Sequence, residues 1–425
     1  MTTRGACTYT IQLFDTLHNL NSLRNYTNAK VQKIGFVKVF PRKNITFGVE
    51  ILAFRMSMLY LHIPFCKQIC SYCDFYRVGA TELLPKVLEQ MHVELERRAG
   101  YLQERTLHTI YFGGGTPSLL HPTDIESLIN HARELFDCST VSEITIEANP
   151  DDLSQEYVEA LGHTSVNRVS LGVQSFDDEV LRFMNRRHTG AEAETAVQRL
   201  RKVGIDNISI DIIFGVGGFA QDHLGESLRR ATSLDVEHIS AYHLTIEERT
   251  RLGIMTRKGE YKPISEECSE AEFLRVHQAF SDAGYDHYEV SNFAKRGRRA
   301  EHNSAYWRGV EYLGIGAGAH SFSGDNRTWC TSTAKEYSEG VFRYDGEELT
   351  PTDHLNEYIM TGLRTSRGIS LEHIATHYGT SERERIEHLA KPWIACGSLQ
   401  QVNNQLLIPA QKFLVSDAII ESLFV

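Results

Sequence analysis

Three cysteines fall within eight residues, in the segment HIPFCKQICSYCDF, with the spacing C-x3-C-x2-C. Thiolates this close on one loop can bind three irons of a [4Fe–4S] cube and leave the fourth iron without a protein ligand. An open iron is a place where a second molecule can coordinate. A structural zinc ion is the alternative; it needs a fourth protein ligand, for which His62 is a candidate. Cys66, Cys70 and Cys73 are therefore the predicted metal ligands.

Further polar or small residues occur where predicted strands end, and each type suits a ligand group. They are, in chain order, Gly114, Gly115, Thr116, Glu147, Gln174, Asp211 and Thr245. The glycines let a ligand approach the backbone closely because no Cβ obstructs it. Glu147 is a candidate for an ion pair with a ligand ammonium group or with Arg186. The planar guanidinium of Arg186 is a candidate for binding a carboxylate. Gln174 and Asp211 offer hydrogen bonds to a ribose or a carboxylate.

Six short apolar runs alternate with amphipathic stretches and predict the elements that must position these residues. The runs are 58–63, 107–112, 141–148, 166–173, 205–215 and 236–244. Strands alternating with helices predict parallel βαβ units, and six such units form a partial (β/α)6 barrel or a curved open sheet. The predicted fold class is therefore α/β. Such barrels carry their chemistry at the carboxyl ends of the strands, where the residues above converge.

The chain divides into four predicted parts. They are a basic N-terminal extension (1–55), the partial barrel (56–245), an extension of the barrel (246–350) and a smaller, mostly helical, winged-helix-like module (351–425). The barrel extension is predicted to hold a helix over 266–283 and a strand over 288–294, and the last part a hairpin around Asn403. Residues 1–55 hold eight basic and two acidic side chains, a net charge of +6. Met56 and Met58 precede the regular pattern, which leaves open a basic arm or a translated upstream segment.

Composition excludes several classes of protein. The chain of 425 residues is 41% hydrophobic and 23% charged, which is typical of a soluble globular protein. Its formal charge of −11 disfavours a nucleic-acid surface. No run approaches the ~20 apolar residues of a membrane span. The cysteines outside the cluster motif are scattered singly, which predicts a reducing compartment, the cytoplasm. The sequence does not predict an oligomeric state.

The cysteine loop, placed after the first strand, resembles that of the radical S-adenosylmethionine superfamily, whose members use a partial six-stranded (β/α) barrel. From Met58 onward, YLHIPFC, YFGGGTPSLL, IEANP, SLGVQSF, MNRRHT, ISIDIIFG and LNEYIMTGLR are similar to the oxygen-independent coproporphyrinogen oxidase family. The resemblance implies a [4Fe–4S] cluster on the three cysteines and S-adenosylmethionine beside it. It places the aminoacyl end of that cofactor at Gly114, Gly115 and Thr116.

The same resemblance implies further contacts with S-adenosylmethionine. The residues that carry them are Tyr60, Tyr72, Thr245 and His320. For the first two, a role as core aromatic residues is the alternative. These contacts are expectations that rest on the family alone.

Two segments depart from the oxidase pattern. Oxidases of the family carry a further cysteine two residues after the third ligand, and here that residue is Phe75. The segment from His302 to Trp307 reads HNxxYW, a motif of the heme chaperone branch. The resemblance therefore implies a protein that binds heme and passes it to acceptor proteins, membrane cytochromes being one candidate class. His302 is the nominated heme ligand, since heme iron accepts imidazole.

Two enzymatic alternatives stay open at this point. One is anaerobic coproporphyrinogen III oxidation, in which a 5′-deoxyadenosyl radical abstracts hydrogen from two propionates. The other is a radical methyl or alkyl transfer. Phe75 favours the chaperone over the oxidase, because the position offers no thiol.

Overall fold

The computed structural model describes residues 56–219 and 221–425, so the basic extension predicted for residues 1–55 lies outside the described residues. The described strands are β1 (Ser57–Ile63), β2 (Leu107–Gly114), β3 (Glu143–Ala148), β4 (Arg168–Gln174), β5 (Asn207–Phe214), β6 (His238–His243), β7 (Asp286–His287), β8 (Asn292–Ala294), β9 (Glu311–Ile315), β10 (His320–Ser323), β11 (Asn326–Cys330), β12 (Tyr344–Glu348), β13 (Ile369–Ser370), β14 (Gln400–Val402) and β15 (Gln405–Leu407).

The helices follow the amphipathic stretches. They are α1 (Leu84–Arg98), α2 (Pro122–Leu135), α3 (Gln155–Leu161), α4 (Asp178–Phe183), α5 (Gly190–Lys202), α6 (His223–Ser233), α7 (Arg251–Arg257), α8 (Glu266–Asp282), α9 (Glu301–Tyr306), α10 (Ala334–Ser338), α11 (Pro351–Leu363), α12 (Leu371–His377), α13 (Thr380–Ala395) and α14 (Ser416–Leu423). Local sequence sets several of their starts: a capping box of Thr189 and Glu192 begins α5, and one of Thr350 and Asp353 begins α11.

Strands β1 to β6 form the predicted parallel sheet in sequence order. Each of the six predicted apolar runs overlaps one of them to within two residues at the ends of β1, β2 and β4, so this part of the prediction is confirmed. Apolar side chains of β1 to β6 and of the covering helices join one buried cluster, for example Leu61 of β1, Leu95 of α1 and Val197 of α5. The helices therefore cover the outer face of the sheet, as βαβ connections require.

The sheet continues beyond the six strands at both edges. Strand β9 pairs in parallel with β1, and β10, β11 and β12 follow it antiparallel. At the other edge β8 pairs antiparallel with β6, and β7 with β8. Among the described residues these twelve strands form one linear order from β12 to β7, so the partial barrel is an open mixed sheet.

One predicted strand is shorter than expected. Residues 288–294 were predicted as a single strand, but only Asn292–Ala294 extend, opposite Asp286–His287. The reason is a tight turn, in which the Asn292 amide donates to the Glu289 carbonyl and Glu289 forms an isolated bridge with Thr365. This turn therefore contacts the C-terminal part of the chain.

The C-terminal part contains α11 to α14 and a sheet of order β13-β15-β14. The predicted hairpin at Asn403 is confirmed: β14 and β15 pair antiparallel across it, and Asn403 has a φ of 55°. Backbone bonds join this part to the turn after β7, from Val290 to Arg364 and from Ser366 to Tyr288. The division at residues 245 and 350 stays a prediction, since β9 to β12 continue the same sheet.

Glu289 makes the stability of this junction depend on pH. Its side chain is fully buried, and burial raises the pKa of the carboxyl to about 8; the Ser291 amide, Asn292 and Arg364 oppose the rise. A carboxyl whose folded pKa exceeds its unfolded value stabilises the fold below the unfolded pKa, and that stability is lost as pH rises through the folded pKa.

We therefore expect Glu289→Gln to unfold with a flatter pH dependence than the parent. Near pH 4.5 the two should be similar, and by pH 9 the variant should be more stable by on the order of 4 kcal/mol. Denaturant unfolding at several pH values measures the difference. Glu339→Gln, an exposed glutamate, is the control. Parallel pH curves for parent and Glu289→Gln would contradict the assignment.

Candidate functional site

A cavity of about 320 Å³ lies at the carboxyl ends of the parallel strands. Residues at or just beyond the ends of β1 to β6 contribute to its wall, as barrel topology predicts. Twelve of the predicted site residues line it: Cys66, Cys70, Tyr72, Cys73, Gly114, Gly115, Thr116, Glu147, Gln174, Arg186, Asp211 and Thr245. The parallel sheet therefore brings together residues that are up to 179 positions apart in the chain.

The three cysteines lie on the loop between β1 and α1. Val78 closes this loop, because its amide donates to the Pro64 carbonyl at 2.6 Å and its carbonyl accepts from the Cys66 amide at 3.1 Å. The Thr116 hydroxyl donates to Cys66 Sγ at 3.4 Å. The cysteine loop is therefore held by backbone hydrogen bonds at its base and by Thr116, which lies in the segment that follows β2.

The three thiols do not converge on one metal ion. Among residues 56–219 and 221–425, no three His, Cys, Asp or Glu side chains are close enough to share a single metal ion. A cube has a different requirement, since each thiolate binds a different iron. Burial raises the pKa of the Cys66 thiol and raises that of Cys73 to about 11, so binding of iron would displace protons from these thiols.

The glycines after β2 permit a close crossing of backbones. Gly114 has a φ of 114°, and a Cβ there would lie 2.6 Å from the His62 ring. A Cβ at Gly115 would lie 2.6 Å from the Phe65 carbonyl oxygen. Only glycine fits both positions, and it leaves the backbone open to a ligand from the cavity side.

Two half-buried carboxyl groups, those of Glu147 and Asp211, face the cavity. Burial raises the pKa of Glu147 to about 7 and that of Asp211 to about 6; the neighbouring Asp211 charge raises Glu147 further. Glu147 accepts hydrogen bonds from the Tyr111 hydroxyl at 2.8 Å and the Gly114 amide at 3.1 Å. Ser170 donates to Asp211 at 3.4 Å. These carboxyls provide acceptors for ammonium or hydroxyl groups in a setting of low dielectric constant.

Arg186 has partners other than those the sequence suggests. Its guanidinium donates to Asn149 Oδ1 at 2.7 Å, to the Gly172 carbonyl and to Cys70 Sγ at 3.4 Å. The pairing of Arg186 with Glu147 is not formed, because Tyr111 and Gly114 occupy the carboxylate of Glu147. Arg186 therefore links the cysteine loop to β4 at the cavity wall.

Gln174 has the backbone and side-chain features of a ligand-binding residue. Its φ of 65° lies in the left-handed region, which side chains other than glycine seldom adopt. Its Oε1 is buried and has no hydrogen-bond partner among the described residues. Strain and an unpaired buried acceptor together indicate a position selected for a ligand rather than for stability.

Two protein-family profiles match the chain. The Radical SAM superfamily profile matches residues 60–231, and the HemN C-terminal domain profile matches residues 349–411. A Bacillus subtilis protein named heme chaperone HemW is 38% identical over 77% of this chain and 88% of its own length. A Mycobacterium tuberculosis protein of the same name is 32% identical over 86% and 94%. The chain belongs to the HemW family of radical SAM proteins.

A solved structure supports the fold. Coproporphyrinogen III oxidase (HemN) from Escherichia coli is 22% identical, covers 89% of this chain and 94% of its own, and superimposes with a TM-score of 0.74. This likeness confirms the α/β radical SAM fold predicted above, with its helical C-terminal module. In the described residues no helix is long and apolar enough to cross a membrane.

Three predicted residues lie away from the cavity of this HemW-family chain: Tyr60, His320 and His302. The Tyr60 hydroxyl is 3.0 Å from His62 Nδ1, and its ring stacks on Tyr111. His320 stacks on Trp329, on β10. Their contacts with a cofactor stay predictions, and the position of Tyr60 agrees with its alternative role in the core.

His302, in the HNxxYW segment, is sealed inside the fold. Its side chain is 1% exposed. Thr109 Oγ1 lies 2.7 Å from Nδ1 and the Tyr306 hydroxyl lies 3.0 Å from Nε2, so both ring nitrogens are engaged. Its amide donates to Glu143 at 3.0 Å. The role of His302 as a heme ligand stays a prediction, but this arrangement provides no access for a macrocycle.

Sequence reasoning missed several residues of the site. Asn149 lines the cavity and holds both Arg186 and Thr116, and Tyr242 lines it from the end of β6. Asp152 accepts from Lys67, at 2.7 Å, and from Arg187. The position of Asn149 directly after β3, at the same edge as Glu147, was the available signal.

We expect any one of Cys66→Ser, Cys70→Ser and Cys73→Ser to prevent reconstitution of a four-iron cluster. Three thiolates are the minimum for an open-site cube, so each loss removes an essential ligand. Iron analysis and visible absorbance after anaerobic reconstitution measure the outcome. Cys138→Ser and Cys268→Ser, away from the cavity, are the controls. Four irons per chain in Cys70→Ser would refute the assignment.

Proposed function

We propose that this chain is a heme chaperone, which binds heme and transfers it to acceptor proteins. The observation that carries the proposal is the match to relatives named heme chaperone HemW, which extends over 88% of the length of the Bacillus subtilis protein. The family profiles cover the cysteine loop with β2 to β5, at residues 60–231, and part of the C-terminal module, at residues 349–411. We further propose that the protein acts in a reducing compartment, since its thiol site needs free cysteines.

Phe75 supports the chaperone over the oxidase. It lies at the cavity wall two residues after Cys73, and 45% of its side chain is exposed. The resembling oxidases carry a cysteine at that position, whereas a phenyl ring has neither a proton nor a metal-binding atom to offer. The mouth of the cavity therefore lacks a group that the oxidase pattern includes.

The residues present fit a cluster and S-adenosylmethionine. Cys66, Cys70 and Cys73 would hold the cluster; the backbone at Gly114 and Gly115 would receive the aminoacyl end. When bound, the pair supplies one-electron chemistry at the cofactor sulfonium. Glu147 would accept from the ammonium group, and the unpaired Gln174 Oε1 and Asp211 from hydroxyl groups.

Oxygen-independent coproporphyrinogen III oxidation is the second candidate. The intact cavity favours it, because Glu147, Asp211 and the three thiols retain the parts that radical chemistry needs. The two candidates differ in what happens to a porphyrin. A chaperone returns heme unchanged, whereas the oxidase converts two propionates to vinyl groups.

We expect the reconstituted protein to bind heme, to transfer it to an apo-cytochrome, and to leave coproporphyrinogen III unchanged under anaerobic conditions. Heme titration followed by Soret absorbance and a chromatographic assay of porphyrin products measure the three outcomes. Phe75→Cys, which restores the oxidase pattern at one position, is the comparison variant. Conversion of coproporphyrinogen III by a parent chain that binds no heme would replace the chaperone with the oxidase.

Gln174 provides a test of cofactor binding that separates function from stability. Gln174→Gly removes the unpaired amide and relieves the positive φ, so stability should be unchanged or raised by up to about 1 kcal/mol. Affinity for S-adenosylmethionine should fall about tenfold, as expected for the loss of one hydrogen bond to the ligand. Denaturant unfolding and equilibrium dialysis of the reconstituted protein measure the two effects.

Asn403→Gly is the matched control for Gln174→Gly. Its φ of 55° is also positive, but it lies in the β14–β15 hairpin, away from the cavity. It should change stability without changing affinity for the cofactor. Equal cofactor affinity in Gln174→Gly and the parent would remove Gln174 from the site.

A further inference from the structure

Helix α12 carries two histidines on one face. His373 and His377 are four residues apart, and their rings stack with centroids 3.9 Å apart and planes 23° apart. His377 is exposed and His373 is half-buried. Neither belongs to the cavity at the strand ends. The pair therefore presents imidazole to solvent at a second place in the molecule.

The hydrogen bond of His377 fixes which nitrogen is available. Its Nδ1 lies 3.0 Å from the His373 carbonyl oxygen. A carbonyl only accepts, so Nδ1 carries the proton and Nε2 keeps its lone pair. Nε2 makes no hydrogen bond with the described residues. A histidine that donates one ring N–H to a carbonyl and presents the other nitrogen has the arrangement typical of metal ligands.

Two tyrosine rings lie beside His373. The Tyr358 ring lies 4.5 Å from the His373 ring, and Tyr378 lies 6.2 Å from it. The Tyr358 hydroxyl accepts from the Ser370 amide at the start of α12, which fixes the ring against the helix. Flat apolar faces beside an imidazole suit a planar aromatic macrocycle, since such rings stack favourably.

Arginine charges act on this part of the molecule. Burial and the charges of His377 and Arg367 lower the pKa of His373. Burial and the charge of Arg367 lower the pKa of Arg308, and the charge of Glu301, whose carboxylate accepts a hydrogen bond from Ser142, opposes this. Two guanidinium groups suit a ligand with two carboxylates.

Arg308 directly follows the HNxxYW segment in the chain. In that segment His302 is buried with both nitrogens engaged, whereas His377 has an available nitrogen. The segment lies at the amino ends of β2 and β3, where His302 meets Thr109 and Glu143. The HNxxYW segment is therefore at the end of the sheet opposite the cysteine loop.

We propose that the surface formed by His373, His377, Tyr358, Tyr378, Arg308 and Arg367 is the heme-binding site, with His377 Nε2 as the axial ligand of the iron. The proposal rests on the proposed function and deepens it by naming the site. Arg308 and Arg367 pair with the two propionates, and the tyrosines contact the ring.

The stacking of the imidazoles limits how the pair can bind the iron. The two rings lie side by side on one helix face, so they cannot bind opposite faces of one macrocycle. His377 is therefore the single histidine of the pair that binds the iron, and the other face of the macrocycle is left to a different ligand. A ligand from an acceptor protein attaches there, and the Fe–N bond to His377 then breaks. This exchange changes ligands and transfers no electron, so it needs no additional reactant.

The experiment is a heme titration of the reconstituted full chain followed by Soret absorbance. His377→Ala should weaken heme binding at least tenfold and abolish the spectrum of imidazole-ligated heme, and free imidazole should restore that spectrum. His388→Ala, an exposed histidine on α13, should match the parent. His302→Ala should bind heme like the parent once its thermal midpoint shows that it is folded.

A second arm tests the arginines. Arg308→Gln and Arg367→Gln should each weaken binding of heme, yet leave binding of heme dimethyl ester unchanged, since the ester carries no propionate charge.

The outcomes separate the two proposals. Parent-like heme binding by His377→Ala overturns the assignment of this site while the proposed function stands. A parent chain that binds no heme overturns both.

Discussion

The close crossing of the cysteine loop over the end of β2 is the constraint on which the site depends. Ile63 of β1 pairs with Gly114 in parallel register, and the Gly115 amide donates to the Ile63 carbonyl at 2.8 Å. A side chain at Gly115 would meet the backbone of Phe65. Because this part of the sheet has no Cβ, the loop can lie against it, and Thr116 can reach Cys66. The thiols thus reach the cavity through backbone geometry, before any metal contributes.

Several polar groups near that crossing lie in environments that are electrostatically unfavourable for them. Burial raises the pKa values of Glu147 and Asp211, and Gln174 keeps an unpaired acceptor in a positive-φ conformation. Such groups reduce stability unless a ligand satisfies them. The twelve-stranded sheet, with its covering helices, holds them in place. The cavity is therefore preorganised for a polar, cationic small molecule.

The HNxxYW segment is held at the amino ends of the parallel strands. Glu143, at the start of β3, accepts from the amides of Glu301 and His302, which anchors helix α9 at the amino ends of the strands. The segment thus packs against the closed end of the sheet, while the cysteine loop occupies the open end.

The sequence by itself determined the six parallel strands and the convergence of the three cysteines with most of the other predicted site residues at one cavity, because hydrophobic period and strand order already place strand ends at one edge. It also predicted the hairpin at Asn403, since two short apolar runs flank adjacent turn-forming residues. Only the tertiary structure decided which side chains meet across the sheet. It turned Arg186 toward Asn149 instead of Glu147, and it buried His302 against Thr109. Those outcomes depend on contacts between residues distant in the chain, which local periodicity does not encode.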